Sequence, residues 1–359
     1  MNIDKIIKEG YLKAEPRTHG GSNDDLIDFS ASINPYGASK RVYNAIRSNL
    51  HLIERYPDPN AKRLKEAISN YLSIDIDNIV IGNGSNEIIH LFADIFINKN
   101  DKVIIPQPTF YEYEFASDKN SALLEFIHID RLSDININAK VMFICNPNNP
   151  TGLLYDKLFM RRLLENTYNN STLVMVDECF IEFVDYPLEN SLVRYVNEYD
   201  NLIILRSFTK AFGLAGLRIG YAIASKDIAK IMNKVKIAWN TNALAQIAAI
   251  EALNDPDHII KSKRLIKKEL SYLKKNINNL GLYAYNSDAN FFLVKCNNSI
   301  KLKEELLKYN ILVRDCSNFT YMSNDHIRIS VRKRRDNIKL IDALSKVYDK
   351  VFNDSRHGF

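Results

Sequence analysis

Cysteine is scarce in this chain, with four among 359 residues, at 145, 179, 296 and 316. They lie far apart with no metal-ligand spacing, which argues against a zinc site or a disulfide-stapled scaffold. Cys145, Cys179 and Cys296 sit in apolar, strand-like runs and read as buried thiols. Long apolar runs are missing too, and no stretch is long enough to cross a bilayer. The opening MNIDKIIKEGYL carries charges throughout and has no apolar core segment. No signal peptide is therefore expected, and a reducing, cytoplasmic compartment is the default. The net charge of +5 is small for this length, and no Lys/Arg cluster stands apart from acidic neighbours, which argues against a nucleic-acid partner. The densest basic run, VRKRRDN, reads as a solvated strand end and helix start, with small-anion binding as the alternative. Internal repeats and low-complexity linkers are absent. GNGSNE lacks the Gly-x-Gly-x-x-Gly spacing, which disfavours a Rossmann-type nucleotide binder.

What is present is alternation. Helical periodicity runs over 40–50 and 61–72. NIVIGNGSNEIIHLFADIF then reads as strand, glycine turn and helix. DKVIIP, KVMFIC, TLVMVDECF, NLIILRS and RIGYAIA read as short buried strands. Near-continuous apolar strands separated by helices predict an α/β architecture with a mostly parallel central sheet covered by helices. A long charged helix is expected over 257–279. NFFLVKC, ILVRDC and HIRISVR follow it with helices between and after, predicting a smaller α+β domain. The expected division is an N-terminal arm (1–35), a large domain (36–255) and a small C-terminal domain (256–359).

Ligands of open α/β sheets bind beyond the carboxyl ends of the strands. Ser85 and Asn86 follow one strand and open a helix; Asn149 follows another, Asp177 interrupts LVMVDECF, Ser207, Thr209 and Lys210 follow NLIIL, and Arg218 opens RIGYA. Each has an ordinary reading. Ser85 would cap a helix, NPNNPTG would only shape a turn, and Lys210 would snorkel to solvent. Together they suit one chemistry better. A lysine whose site lowers its pKa forms Schiff bases with carbonyl compounds. An aldehyde cofactor with a ring nitrogen and a phosphate also needs a carboxylate, hydroxyls, an arginine and a flat group over the ring. Asp177, Ser207, Thr209, Arg218 and Phe110 supply those, a set that matches pyridoxal phosphate.

With RYPDP, GNGSNE, CNPNNPTG, VDECF and SFTKAFGLAGLRIGY in that order, the chain resembles the fold-type I pyridoxal-phosphate enzymes of the class I/II aminotransferase superfamily over nearly its whole length. The resemblance implies an aspartate-aminotransferase-like fold and pyridoxal 5'-phosphate as cofactor. It makes Lys210 the Schiff-base lysine and Asp177 the partner of the pyridine nitrogen. Asn149 would bond the ring's 3-oxygen, and Phe110 would stack on the ring. Ser207, Thr209 and Arg218, with the N–H groups of Ser85 and Asn86, would hold the phosphate. Tyr56 would reach the phosphate from a second copy, so a homodimer with shared active sites is implied. Phe180 stands where most aminotransferases carry a tyrosine bonded to the 3-oxygen.

Two relatives within the superfamily resemble the chain most, histidinol-phosphate aminotransferase and the threonine-phosphate decarboxylase of cobalamin synthesis. Both imply a small phosphorylated amino-acid or amine substrate and no membrane partner. They imply substrate contacts at His19, Asn34, Arg314 and Arg328. HGG (19–21) before IDFSASINP, Phe180, AWNTNALA, VRDCSNF and the Arg328/Arg332 spacing are more similar to the decarboxylase, which is the favoured expectation.

Overall fold

A computed structural model describes residues 7, 9–13, 20–21, 25–135 and 137–352. In chain order its strands are β1 (Ile27–Asp28), β2 (Ile79–Gly82), β3 (Lys102–Gln107), β4 (Leu123–His128), β5 (Val141–Cys145), β6 (Leu173–Asp177), β7 (Leu202–Ser207) and β8 (Gly220–Ala224). They are followed by β9 (Tyr283–Ala284), β10 (Phe291–Lys295), β11 (Ile311–Leu312), β12 (Arg314–Asp315) and β13 (His326–Ser330). The central sheet has seven strands in the order β2-β8-β7-β6-β5-β3-β4. β3, β4, β5, β6 and β7 run parallel, and β8 runs antiparallel to both its neighbours.

Sequence explains this arrangement directly. VMFIC of β5 and LIILRS of β7 are buried at every position, which fits strands covered on both faces. The helix Ser85–Phe96 lays Ile88, Ile89, Phe92 and Ala93 onto the sheet, and Phe92 meets Phe143 of β5 edge to face. The sequence reading passed over β4. As an edge strand that is mostly half-buried, it lacks the continuous apolar run of its neighbours.

A second sheet has the order β12-β13-β10-β9, all antiparallel. The helices Pro256–Asn279, Ser299–Leu307 and Arg334–Phe352 pack against one another and against its strands and β11. ILVRDC, expected as one strand, divides in two. Ile311 and Leu312 pair in parallel with Ile27 and Asp28 of the arm, while Arg314 and Asp315 join β13. Apolar alternation marks a strand but does not choose its partner. The arm is also tied to β13, because Ser330 N donates to Phe29 O at 2.9 Å and the Ser32 and Ser330 hydroxyls lie 2.8 Å apart. Among the described residues no helix is long and apolar enough to cross a membrane.

Candidate active site

The parallel strands end level with one another. Cys145 lies beside Asp177, and Asp177 beside Leu205, so the chain leaving β5, β6 and β7 opens on one crevice. Asp177 ends β6, Ser207 ends β7, and Lys210 follows in the next turn. Beyond β2, Gly84 has φ 81° and starts the helix Ser85–Phe96 with no side chain capping the first turn. Such an end presents N–H groups suited to an anion. Arg218 lies over Gly84, where an added Cβ would come 2.5 Å from its Nη2. The positive φ favours glycine there.

These ends line a cavity of about 320 Å³, within the range of about 300–1,000 Å³ usual for small-molecule sites. Ser85, Asn86, Ser207, Thr209 and Arg218 gather in its wall with Lys210. Phe110, Asn149, Asp177 and Phe180 also line it, and Arg314 and Arg328 enter from the second sheet. Ser207 Oγ accepts from Thr209 N at 3.1 Å, which fixes the turn that carries the lysine.

The electrostatics follow from burial. Lys210 Nζ lies 5.5 Å from the centre of the Phe180 ring. Burial, and then the Arg328 charge, lower its pKa to about 8, against the pull of Cys179 and Asp177. A lysine so placed keeps a free-amine fraction near neutral pH that an ordinary lysine lacks, and is largely free above about 8, as a Schiff base requires. Burial raises the pKa of Asp177. Hydrogen bonds from Cys179 and Tyr113 and the Lys210 charge oppose it. Burial lowers that of Arg328 to about 10. Arg328 donates through Nη1 to Asn149 Oδ1 and through Nη2 to Ser30 O at 2.6 Å. Its Nε is buried without a hydrogen-bond partner among the described residues. Arg314 donates to Asn318 Oδ1 at 2.9 Å and lies 5.4 Å from the Phe319 ring centre. Among the described residues neither guanidinium meets a carboxylate.

Two expected residues, Asn34 and Tyr56, fall elsewhere. Asn34, expected at the substrate, does not line the cavity. Its amide nitrogen donates to Ala211 O at 2.7 Å and to Ser262 Oγ at 2.8 Å, and its backbone N donates to Lys210 O at 2.9 Å. It is consumed in seating the arm on the lysine turn. Tyr56 is 81% exposed and packs at a tilt against Trp239, with ring centres 4.8 Å apart, on the outside of the chain. His19 lies outside the described residues. Sequence reasoning missed Gly20, Ser30 and Ala31 of the arm, Cys145 and Cys179, and Tyr111, all of which line the cavity. Gly20 in HGG, Ser30 and Ala31 in IDFSASINP, Cys145 in CNPNNPTG and Cys179 in VDECF all sit inside stretches that the sequence singles out. Among the described residues no group of three or more His, Cys, Asp or Glu could hold a metal.

The donor set fits a pyridoxal-type cofactor. A buried carboxylate suits a ring nitrogen, and an uncapped helix end with two hydroxyls and an arginine suits a phosphate. An amine of lowered pKa suits an aldehyde, and Phe110 offers a flat face. Fold and site together define a pyridoxal-phosphate enzyme. Residues 24–344 match the family described as aminotransferase class I and II, and the chain belongs to that family, whose cofactor is pyridoxal phosphate. Within it, the chain is 34% identical to the histidinol-phosphate aminotransferase of Methanococcus aeolicus, over 97% of this chain and 100% of that one. The crystal structure of the histidinol-phosphate aminotransferase from Clostridium acetobutylicum matches with a TM-score of 0.83 at 33% identity, covering 90% of this chain and 100% of that one. The L-threonine-O-3-phosphate decarboxylase from Porphyromonas gingivalis matches with a TM-score of 0.81 at 28% identity, covering 89% of this chain and 99% of that one.

Proposed function

We propose that the enzyme decarboxylates L-threonine-O-3-phosphate to aminopropanol phosphate. The observation that carries the reading is a second anion site. Arg314 and Arg328 enter the cavity without a carboxylate partner among the described residues, apart from the donors suited to the cofactor phosphate. A phosphorylated amino acid brings two anionic groups of its own, and a guanidinium fork matches either. Histidinol phosphate carries a phosphate that the same pair would hold, so the pair supports the substrate class. HGG at 19–21 and Phe180, more similar to the decarboxylase, favour threonine phosphate within it.

When bound, the cofactor would supply an electron-accepting ring. Asp177 would hold a proton at the ring nitrogen, and Ser207, Thr209, Arg218 and the helix end would anchor the phosphate. Asn149 braces Arg328 through the hydrogen bond they share. With Arg314, Arg328 and His19 holding the side-chain phosphate, the Cα carboxylate would be left without a cationic partner and free to depart as CO₂. Lys210 Nζ would return a proton to Cα in its place. Geometry fixed before reaction decides which Cα bond breaks.

The test is paired. Purified holoenzyme with threonine phosphate is expected to release CO₂ with no 2-oxo acid present. Glutamate formed from histidinol phosphate and 2-oxoglutarate, with no CO₂ from threonine phosphate, would replace this reading by histidinol-phosphate aminotransferase.

A homodimer belongs to the same proposal. Tyr56 cannot serve its own chain's cavity from its exposed position, and a second copy seated on the Tyr56–Trp239 pair would give the phenol a phosphate to meet.

A further inference from the structure

Behind the cavity wall, one buried group acts on the site without lining it. Tyr113, on the helix Glu112–Lys119, is 1% exposed. Its hydroxyl donates to Asp177 Oδ2 at 2.6 Å. The other carboxylate oxygen, Oδ1, accepts from Cys179 N at 2.8 Å. The phenol ring is clamped: it stacks on Phe143 at 5.1 Å and 10°, and meets the cavity-lining Phe110 edge to face at 5.7 Å. Ser117 Oγ donates to Tyr113 O at 2.7 Å and secures the backbone.

We propose that Tyr113 is a positioning residue that sets the proton affinity of Asp177 and thereby keeps the proton of the Asp177–cofactor pair on the ring nitrogen. The inference rests on the reading that Asp177 meets that nitrogen.

The physical argument is a competition. A buried carboxylate without donors prefers to be neutral. It would draw the proton away from the ring nitrogen, and the ring would lose its pull on electrons. A short hydrogen bond from a neutral phenol stabilises the anionic carboxylate and lowers its proton affinity. The phenol can only donate, because burial and the Asp177 charge push its own pKa well up. The titratable groups facing Asp177 are Tyr113, Cys179, Cys145 and Lys210. Burial raises both thiols, which keeps them neutral, so Lys210 is the charged neighbour and Tyr113 the strongest adjustable donor.

The position matters in this chain. Phe180 leaves the 3-oxygen end of the ring without the usual phenol. Tyr113 places one at the nitrogen end, one residue removed from direct contact.

Tyr113→Phe removes the donor and keeps the stacked ring. In the apoenzyme, the carbon-13 titration of the labelled Asp177 carboxylate is expected to move to higher pH. In the holoenzyme with nitrogen-15 cofactor, the ring-nitrogen resonance is expected to move toward its unprotonated position. The value of kcat should fall about tenfold, the worth of one charge-assisted hydrogen bond, with KM within about twofold. A fluorinated tyrosine at 113, a stronger donor of nearly the same shape, should shift both resonances the opposite way. A merely structural role would lower the melting temperature of Tyr113→Phe and leave both resonances in place, and that result overturns the proposal. Asp177→Asn is the control. If it too leaves the nitrogen resonance unmoved, Asp177 is not the ring partner and the underlying reading fails. If it moves the resonance while Tyr113→Phe does not, only this inference fails.

Discussion

At the scale of single residues the site is a set of charges made costly by burial and then balanced against one another. Lys210 shows the balance most plainly. Its pKa of about 8 has burial as its largest cause and the Arg328 charge as the next. Below that value the amine is protonated and cannot attack an aldehyde. The rate of cofactor loading into the apoenzyme should therefore rise about tenfold per pH unit up to about 8 and level off above it. Arg328→Ala takes away the second cause and should move the break in that profile upward. Absorbance stopped-flow against pH checks both, and a flat profile would mean that another group is titrating. The same depression has a stability consequence. Between about 8 and the usual lysine value near 10.5 the unfolded chain binds more protons at this site than the folded one, so stability from this group rises with pH across that window.

At the scale of elements, what matters is how rigidly β6 and β7 present their ends. The residue after Asp177 is Glu178, and the residue before Ser207 is Arg206. Arg206 Nε donates to Glu178 Oε2 at 2.9 Å, and Nη1 donates to Glu182 Oε1 at 2.8 Å. Its Nη2 donates to Ser191 Oγ at 2.8 Å. All three charged side chains are no more than 1% exposed. Burial works against the charge on Arg206, but the two glutamates outweigh it and hold its pKa above the ordinary value. Breaking a buried network by deleting one partner strands the others. Arg206→Ala should cost about 3–5 kcal/mol of stability in urea unfolding and loosen both Asp177 and Ser207. A loss below about 1 kcal/mol would mean that these groups are not charged together.

At the scale of the whole molecule the question is what covers the Tyr56 face. Trp239 is the only tryptophan in the chain. It is 50% exposed and held at φ 54°, a backbone region that bulky residues rarely occupy. Asn240 anchors that turn, donating to Ile81 O at 3.2 Å and Glu87 Oε2 at 2.7 Å. If a second copy seats there, tryptophan emission should shift to the red on dilution. Its midpoint should match dimer dissociation in sedimentation experiments, and cofactor should be lost over the same range. A monomer that keeps its cofactor at every concentration would sink the shared-site proposal.

The sequence by itself determined the family, the cofactor chemistry and most of the cavity wall. The reason is local. In a parallel sheet the residues just past each apolar run must emerge at the same edge, so Asp177, Ser207 and Lys210 could be placed without coordinates; Arg218 reaches that edge because it precedes the antiparallel β8. Only the tertiary structure decided what depends on distant pairing. ILVRDC is a single apolar run whose two halves join different sheets. Asn34 sits in an arm whose register against the Lys210 turn no spacing encodes. Tyr113 lies 64 residues from Asp177 in sequence, on a different element, and its meeting with that carboxylate follows from the packing of the helix Glu112–Lys119 on the sheet. Side-chain chemistry names the groups a site needs, while packing across the sheet decides which of them come within hydrogen-bonding reach.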